Sequence, residues 1–179
     1  MLSAGSYNFL ILDLIFFGVL LVCCYTDLRV QKIYNLVLFP AALAALILSF
    51  LYGGPAQVVG SLQGMLLGIG LLLLPFAWGG IGAGDVKLLG VVGAFKGPEF
   101  VLMAFVAGAI AGGIYSVFLL IKQKKFLLTL KKIYYFCLNK LLHIPITVNF
   151  GNLETAARED AFPYALAIST GVILVYFLG

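Results

Sequence analysis

The chain has 179 residues, 63% of them hydrophobic and only 10% charged, where a soluble domain carries about 25% charged residues. That balance excludes a soluble enzyme and predicts an all-α integral membrane protein, one helical bundle with little chain left for a second domain. The formal charge of +4 reads as a membrane topology signal, so no nucleic-acid partner is expected.

The N-terminus lacks the basic region of a cleavable signal peptide, so its first apolar run reads as a retained span. A span needs about 20 mostly apolar residues. Residues 9–25 supply the first, interrupted by Asp13, and Cys23 and Cys24 inside it read as small apolar fillers. With Cys137 they form no CxxC pair, so no zinc or redox module is expected. The linker TDLRVQKIYN (26–35) follows, then a second span over 36–52 with Pro40 early in it. Gly53, Gly54 and Pro55 predict a turn. Residues 56–77 predict a third span, and 78–84 a loop.

The run 86–95 is too short to span, covering only about 15 Å as a straight helix. It either extends into its flanks or lines a wet cavity. A turn at 96–99 leads to a Gly- and Ala-rich span over 100–121, suited to close helix packing. In 122–142 six lysines interleave with apolar residues at helical spacing. That pattern predicts an interfacial amphipathic segment on the anionic inner leaflet, with the lipid bilayer as its partner. A polar connector, 143–160, precedes the last span, 161–178. The expected fold is thus a bundle of six transmembrane helices plus that amphipathic segment.

With the N-terminus outside and all six spans crossing, ten of the eleven Lys and Arg residues fall inside and only Lys96 outside. This positive-inside bias puts Asp27, at the end of the first span, and Asp85, at the start of the fourth, on the same cytoplasmic face. Ionisable groups beside a membrane core are functional candidates. Gly82 and Gly84, flanking Ala83 just before Asp85, let another backbone or a substrate approach the carboxylate. Two such carboxylates can form an aspartyl-protease pair, in which one holds a proton near neutral pH and the other activates water. Plainer roles stay open for each acid alone: a loop charge or helix-end cap for Asp27, and an N-terminal helix acid for Asp85. Lys87 reads equally as a positive-inside anchor. Asp13 lies 14 residues before Asp27, about 21 Å along a helix, and reads as a polar group of the outer interface. Other hydrolytic plans lack their motifs: there is one histidine, His143, and neither HExxH nor GxSxG occurs.

The stretch GAGDVKLLGVVGAF, opening on Gly82, resembles the GxGD signature of the type IV prepilin peptidases, its lysine being Lys87. TDLRVQKIYN resembles their first aspartate motif: Asp27, Arg29, Ile33 and Asn35 match, while Tyr34 stands where the family has proline. Pro163, Tyr164 and Ala165 resemble a third block. The resemblance covers nearly the whole chain. It implies Asp27 and Asp85 as the catalytic pair, with Gly82, Gly84, Lys87, Arg29, Asn35, Pro163 and Tyr164 shaping the site. It further implies a leader peptidase without metal or organic cofactor. The substrate would be a prepilin-like or preflagellin-like membrane protein, cut between a short basic leader and its apolar helix at the cytoplasmic face. The compact form resembles the small peptidases of tight-adherence pilus systems and of archaeal preflagellins. It lacks the cysteine tetrad of larger members, so peptidase activity without methyl transfer is expected. Because enzyme and leader are both basic, Glu154, Glu159 and Asp160 are candidate receivers of the leader's cations. The rival readings are a small ion- or proton-coupled transporter using Asp13, Asp27 and Asp85, and an inactive assembly scaffold. Placement separates the transporter, because transport sites lie near the midplane and not at one face.

Overall fold

The computed structural model describes residues 4–122 and 164–178, which form five helices: α1 (Ala4–Val30), α2 (Asn35–Ala77), α3 (Ala83–Lys96), α4 (Pro98–Lys122) and α5 (Tyr164–Leu178). Most of the amphipathic lysine segment, the polar connector with Glu154, Glu159 and Asp160, and Pro163 lie outside the described residues. Helices α1, α2, α3 and α5, with α4 as far as Ala111, belong to one packed unit, and the rest of α4 to a second. All that follows concerns the first.

The expected six spans are not what the described residues form. Two helices, Asn35–Ala77 and Pro98–Leu119, are long and apolar enough to cross a membrane. The second and third expected spans run together as α2. The short fourth run gains four residues, three before it and one after, and becomes the 14-residue α3, and α5 has 15 residues. At 1.5 Å per residue these reach only about 21 and 22 Å, against about 30 Å of hydrocarbon.

Helix α2 is not one straight rod. Gly54 has φ 66° and ψ −165°, a conformation open to glycine and costly for other residues. Across this break Ser49 Oγ and Ser61 Oγ approach to 2.6 Å, although 12 positions of straight helix would separate them by about 18 Å. The chain therefore doubles back at Gly54, and α2 is a hairpin of two helical arms. Its buried positions fall at helical spacing on each arm: Leu38, Ala41, Ala45 and Ser49, then Ser61, Gly64, Gly68 and Leu72.

Against this hairpin lies α3, the most enclosed helix, buried from Leu88 through Ala94. A Cβ on Gly64 would run into the carbonyl of Gly93, and one on Gly68 into that of Leu89. The two backbones touch because neither carries a side chain at the crossing, the small-residue packing common in membrane bundles. The same device joins α4 to α5, where Gly108 faces the Ala167 carbonyl and Gly171 that of Ala104. Helix α1 completes the unit with a buried stripe, Phe16, Leu20, Cys23 and Asp27, spaced by four, three and four residues. The Cys24 thiol of α1 donates to Ser169 Oγ of α5 at 3.0 Å.

Candidate active site

Asp27 is not in a linker. Helix α1 runs on to Val30, and Asp27 continues its buried stripe, only 7% exposed. An acid in the last turn of a helix opposes the helix dipole, so α1 gains nothing from it. Its partner comes from another helix: Ala165 N–H, in the first turn of α5, donates to Asp27 Oδ2 at 3.1 Å. The free N–H groups of one helix start thus answer the acid at the end of another.

Asp85 sits in the first turn of α3, behind the N-cap Gly82, and is 8% exposed. Its carboxyl turns back on that turn, where the backbone N–H groups of Gly82 and Asp85 favour its charged form. Its Oδ1 is buried without a hydrogen-bond partner among the described residues. Both flanking glycines have steric reasons. A Cβ on Gly82 would stand 3.1 Å from Asp85 Oδ2, and one on Gly84 would stand 2.9 Å from Ile33 Cβ.

One cleft of about 390 Å³ is lined by Asp27, Asp85, Gly82, Ala83, Gly84 and the connection from Gln31 to Asn35. Both acids lie outside the expected apolar runs 9–25 and 86–95. Burial, and then the charge of Asp27, push Asp85 up from 3.8 to about 6 against the pull of its backbone donors. Burial also raises Asp27, with the Ala165 N–H pulling the other way. Two buried like charges in one cleft cannot both ionise cheaply, so one of them holds its proton to a higher pH than an ordinary carboxyl does.

The other expected site residues divide. Gly82, Gly84 and Asn35 line the cleft. Lys87 Nζ donates to Asn35 Oδ1 at 2.8 Å and lies 5.7 Å from the Phe39 ring centroid, tying α3 to the start of α2. Arg29 is exposed, stacks over Tyr25 and does not line the cleft. Tyr164 opens α5, and its neighbour Ala165 makes the contact to Asp27. Ile33 and Gln31 are additions. Gln31 ends α1 in the left-handed region, φ 51°, with its N–H on the Asp27 carbonyl. Ile33 was signalled in the sequence as a match to the first aspartate motif, without a place in the site. Among the described residues no three His, Cys, Asp or Glu side chains gather where they could hold a metal ion.

Comparison with known proteins adds a second line. Residues 14–117 match the type IV leader peptidase family. The chain is 26% identical over 168 residues, 92% of its length, to the prepilin leader peptidase/N-methyltransferase of Bacillus subtilis (strain 168). It spans 54% of that relative. No solved structure matches. The family match contains both Asp27 and Asp85.

Proposed function

From membership of the type IV leader peptidase family, to which this chain belongs, we propose that it hydrolyses the peptide bond between a short basic leader and the apolar helix of prepilin-like membrane proteins. The observation that carries this reading is the pair of buried carboxylates, from α1 and α3, facing one cleft. The match to a peptidase family supports proteolysis, and the paired acids support an aspartic mechanism.

Asp85 carries the proton, and Asp27, held by the Ala165 N–H, stays ionised. Asp27 takes a proton from water as the oxygen attacks the scissile carbonyl, while Asp85 donates to the carbonyl oxygen. When the tetrahedral intermediate collapses, the leaving amine takes a proton from the pair. The cleft opens beside the chain ends of α1 and α2, at the end of the unit rather than its middle, which suits a bond at the membrane boundary. The transporter reading loses its third acid, because Asp13 is paired with Lys96.

The test is cleavage of a prepilin-like substrate co-expressed with the wild type, Asp27→Asn or Asp85→Asn. Wild type converts precursor to mature form. Each variant, present at normal level, leaves precursor uncut, with a rate at least about 10³-fold lower, as expected when one member of an acid–base pair is removed. Full-rate cleavage by either variant makes that residue structural and ends the two-aspartate mechanism.

A further inference from the structure

Farther along the same three helices, away from the cleft, lies another polar cluster. Lys96, the last residue of α3, pairs with Asp13 Oδ1 of α1, and the Tyr176 hydroxyl of α5 donates to Asp13 Oδ2. The Lys96 ammonium also lies over three rings, 5.4 Å from the centroid of Phe16, 5.9 Å from Phe100 and 4.7 Å from Tyr176. A cation so enclosed, with both oxygens of its carboxylate engaged, has a fixed place rather than a surface lysine's range of positions.

The two clusters have the same parts list. At the cleft, α1 gives Asp27, α3 gives Asp85 and α5 gives the Ala165 N–H. At the far end, α1 gives Asp13, α3 gives Lys96 and α5 gives Tyr176. The separations are 14, 11 and 11 residues, or about 21, 16 and 16 Å of helix. Between these ends α3 packs through its glycine crossing with α2 and through the buried side chains of Leu88, Leu89, Val91 and Val92. Apolar packing of this kind is non-directional. A charge-assisted hydrogen bond is short and directional, so it fixes axial position where apolar contact does not.

We propose that Asp13, Lys96 and Tyr176 are positioning residues, a far-end clamp that sets the axial register of α3 against α1 and thereby the separation of Asp27 from Asp85. The inference rests on the two-aspartate reading for its effect on catalysis, but its geometric claim is separable from that reading.

The experiment therefore has two readouts on the full chain in its membrane. One is cleavage of the prepilin-like substrate per folded enzyme. The other needs no activity: the rate of copper-phenanthroline disulfide formation between Asp27→Cys and Asp85→Cys, with Cys23, Cys24 and Cys137 replaced by serine. Lys96→Met and Asp13→Asn are expected to lower cleavage by roughly ten- to a hundredfold, the range for small misplacements of reacting groups, and to slow the disulfide in parallel. The exchanged pair, Asp13→Lys with Lys96→Asp, restores both. Tyr176→Phe, which removes one hydroxyl, gives a smaller loss in the same direction and serves if the Lys96 variant does not accumulate. An unchanged disulfide rate in these variants overturns the clamp, whatever cleavage does. Continued cleavage by Asp27→Asn instead removes the two-aspartate mechanism alone, and the disulfide rate still decides the register.

Discussion

Asp27 and Asp85 follow opposite local rules. Asp85 sits where a helix welcomes an acid, in its first turn. Asp27 sits where a helix resists one, at the negative end of α1, and its answering N–H comes from Ala165, 138 residues away in sequence. The plain role of an acid favoured by its helix end therefore accounts for Asp85 but not for Asp27. The burial of Asp85 also has a stability consequence. It keeps its proton up to about pH 6 in the fold, against an ordinary value of 3.8. Between those values the native state binds more protons than the unfolded chain, so stability falls as pH rises through the window and the deficit is complete above it. Asn keeps the shape and never ionises. Asp85→Asn is accordingly expected to unfold at a higher temperature than wild type at pH 7.5, with the gap closing as pH falls towards 4. Thermal unfolding in detergent across that range checks it. A variant less stable than wild type at pH 7.5 would mean that the ionised carboxyl is favoured by its site.

The hairpin α2 shows how much of an element the sequence carries. Gly53, Gly54 and Pro55 mark the turn, and the apolar runs on either side mark the two arms. The turn was legible because its residues allow a break that others resist. The six-span count was less legible, because hydropathy alone cannot tell a lipid-facing helix from one enclosed by its neighbours. Helix α3 is apolar because α1, α2 and α5 surround it, and at 14 residues it is as long as that enclosure requires. The roles of the glycines were hidden for a related reason: composition shows that close packing is available, but not which glycine meets which backbone. Gly60 and Gly64, one helical turn apart, separate the two cases. A Cβ on Gly60 meets nothing within 4 Å, whereas one on Gly64 meets the Gly93 carbonyl. Gly60→Ala is expected to stabilise by about 0.5–1 kcal/mol through backbone entropy. Gly64→Ala is expected to destabilise by about 1–3 kcal/mol through overpacking. Unfolding of the two variants side by side reads the sign directly, and equal effects would remove the crossing as the feature that seats α3.

At the scale of the whole unit, charge and site share an axis. Asn35 and Ala77 end the two arms of α2 beside the cleft, and Gly54 marks the other end, where Lys96 closes α3 next to Gly53 and Gln57. The cleft end carries Arg29, Lys32 and Lys87. The far end carries Lys96, already tied to Asp13, with Glu99 close by in the first turn of α4. The two aspartates of the cleft stood out in the sequence as members of short motifs that resemble those of a known family. That they share one end of the unit was legible from the basic residues, but the hydrogen bond that α5 brings to Asp27 was not, because it comes from the other end of the chain. The asymmetry of cations is the ground for expecting the cleft on the cytoplasmic side, the side on which the proposed substrate would carry its basic leader. Two exposed positions report the orientation: Lys32 beside the cleft and Ala56 beside the hairpin turn. In a chain whose natural cysteines are replaced, Ala56→Cys is expected to react with a membrane-impermeant maleimide in intact cells. Lys32→Cys is expected to react only after the membrane is opened. The reverse pattern would place the paired acids outside, where no cytoplasmic leader could reach them, and the proposed substrate would have to be given up even if both aspartates proved essential.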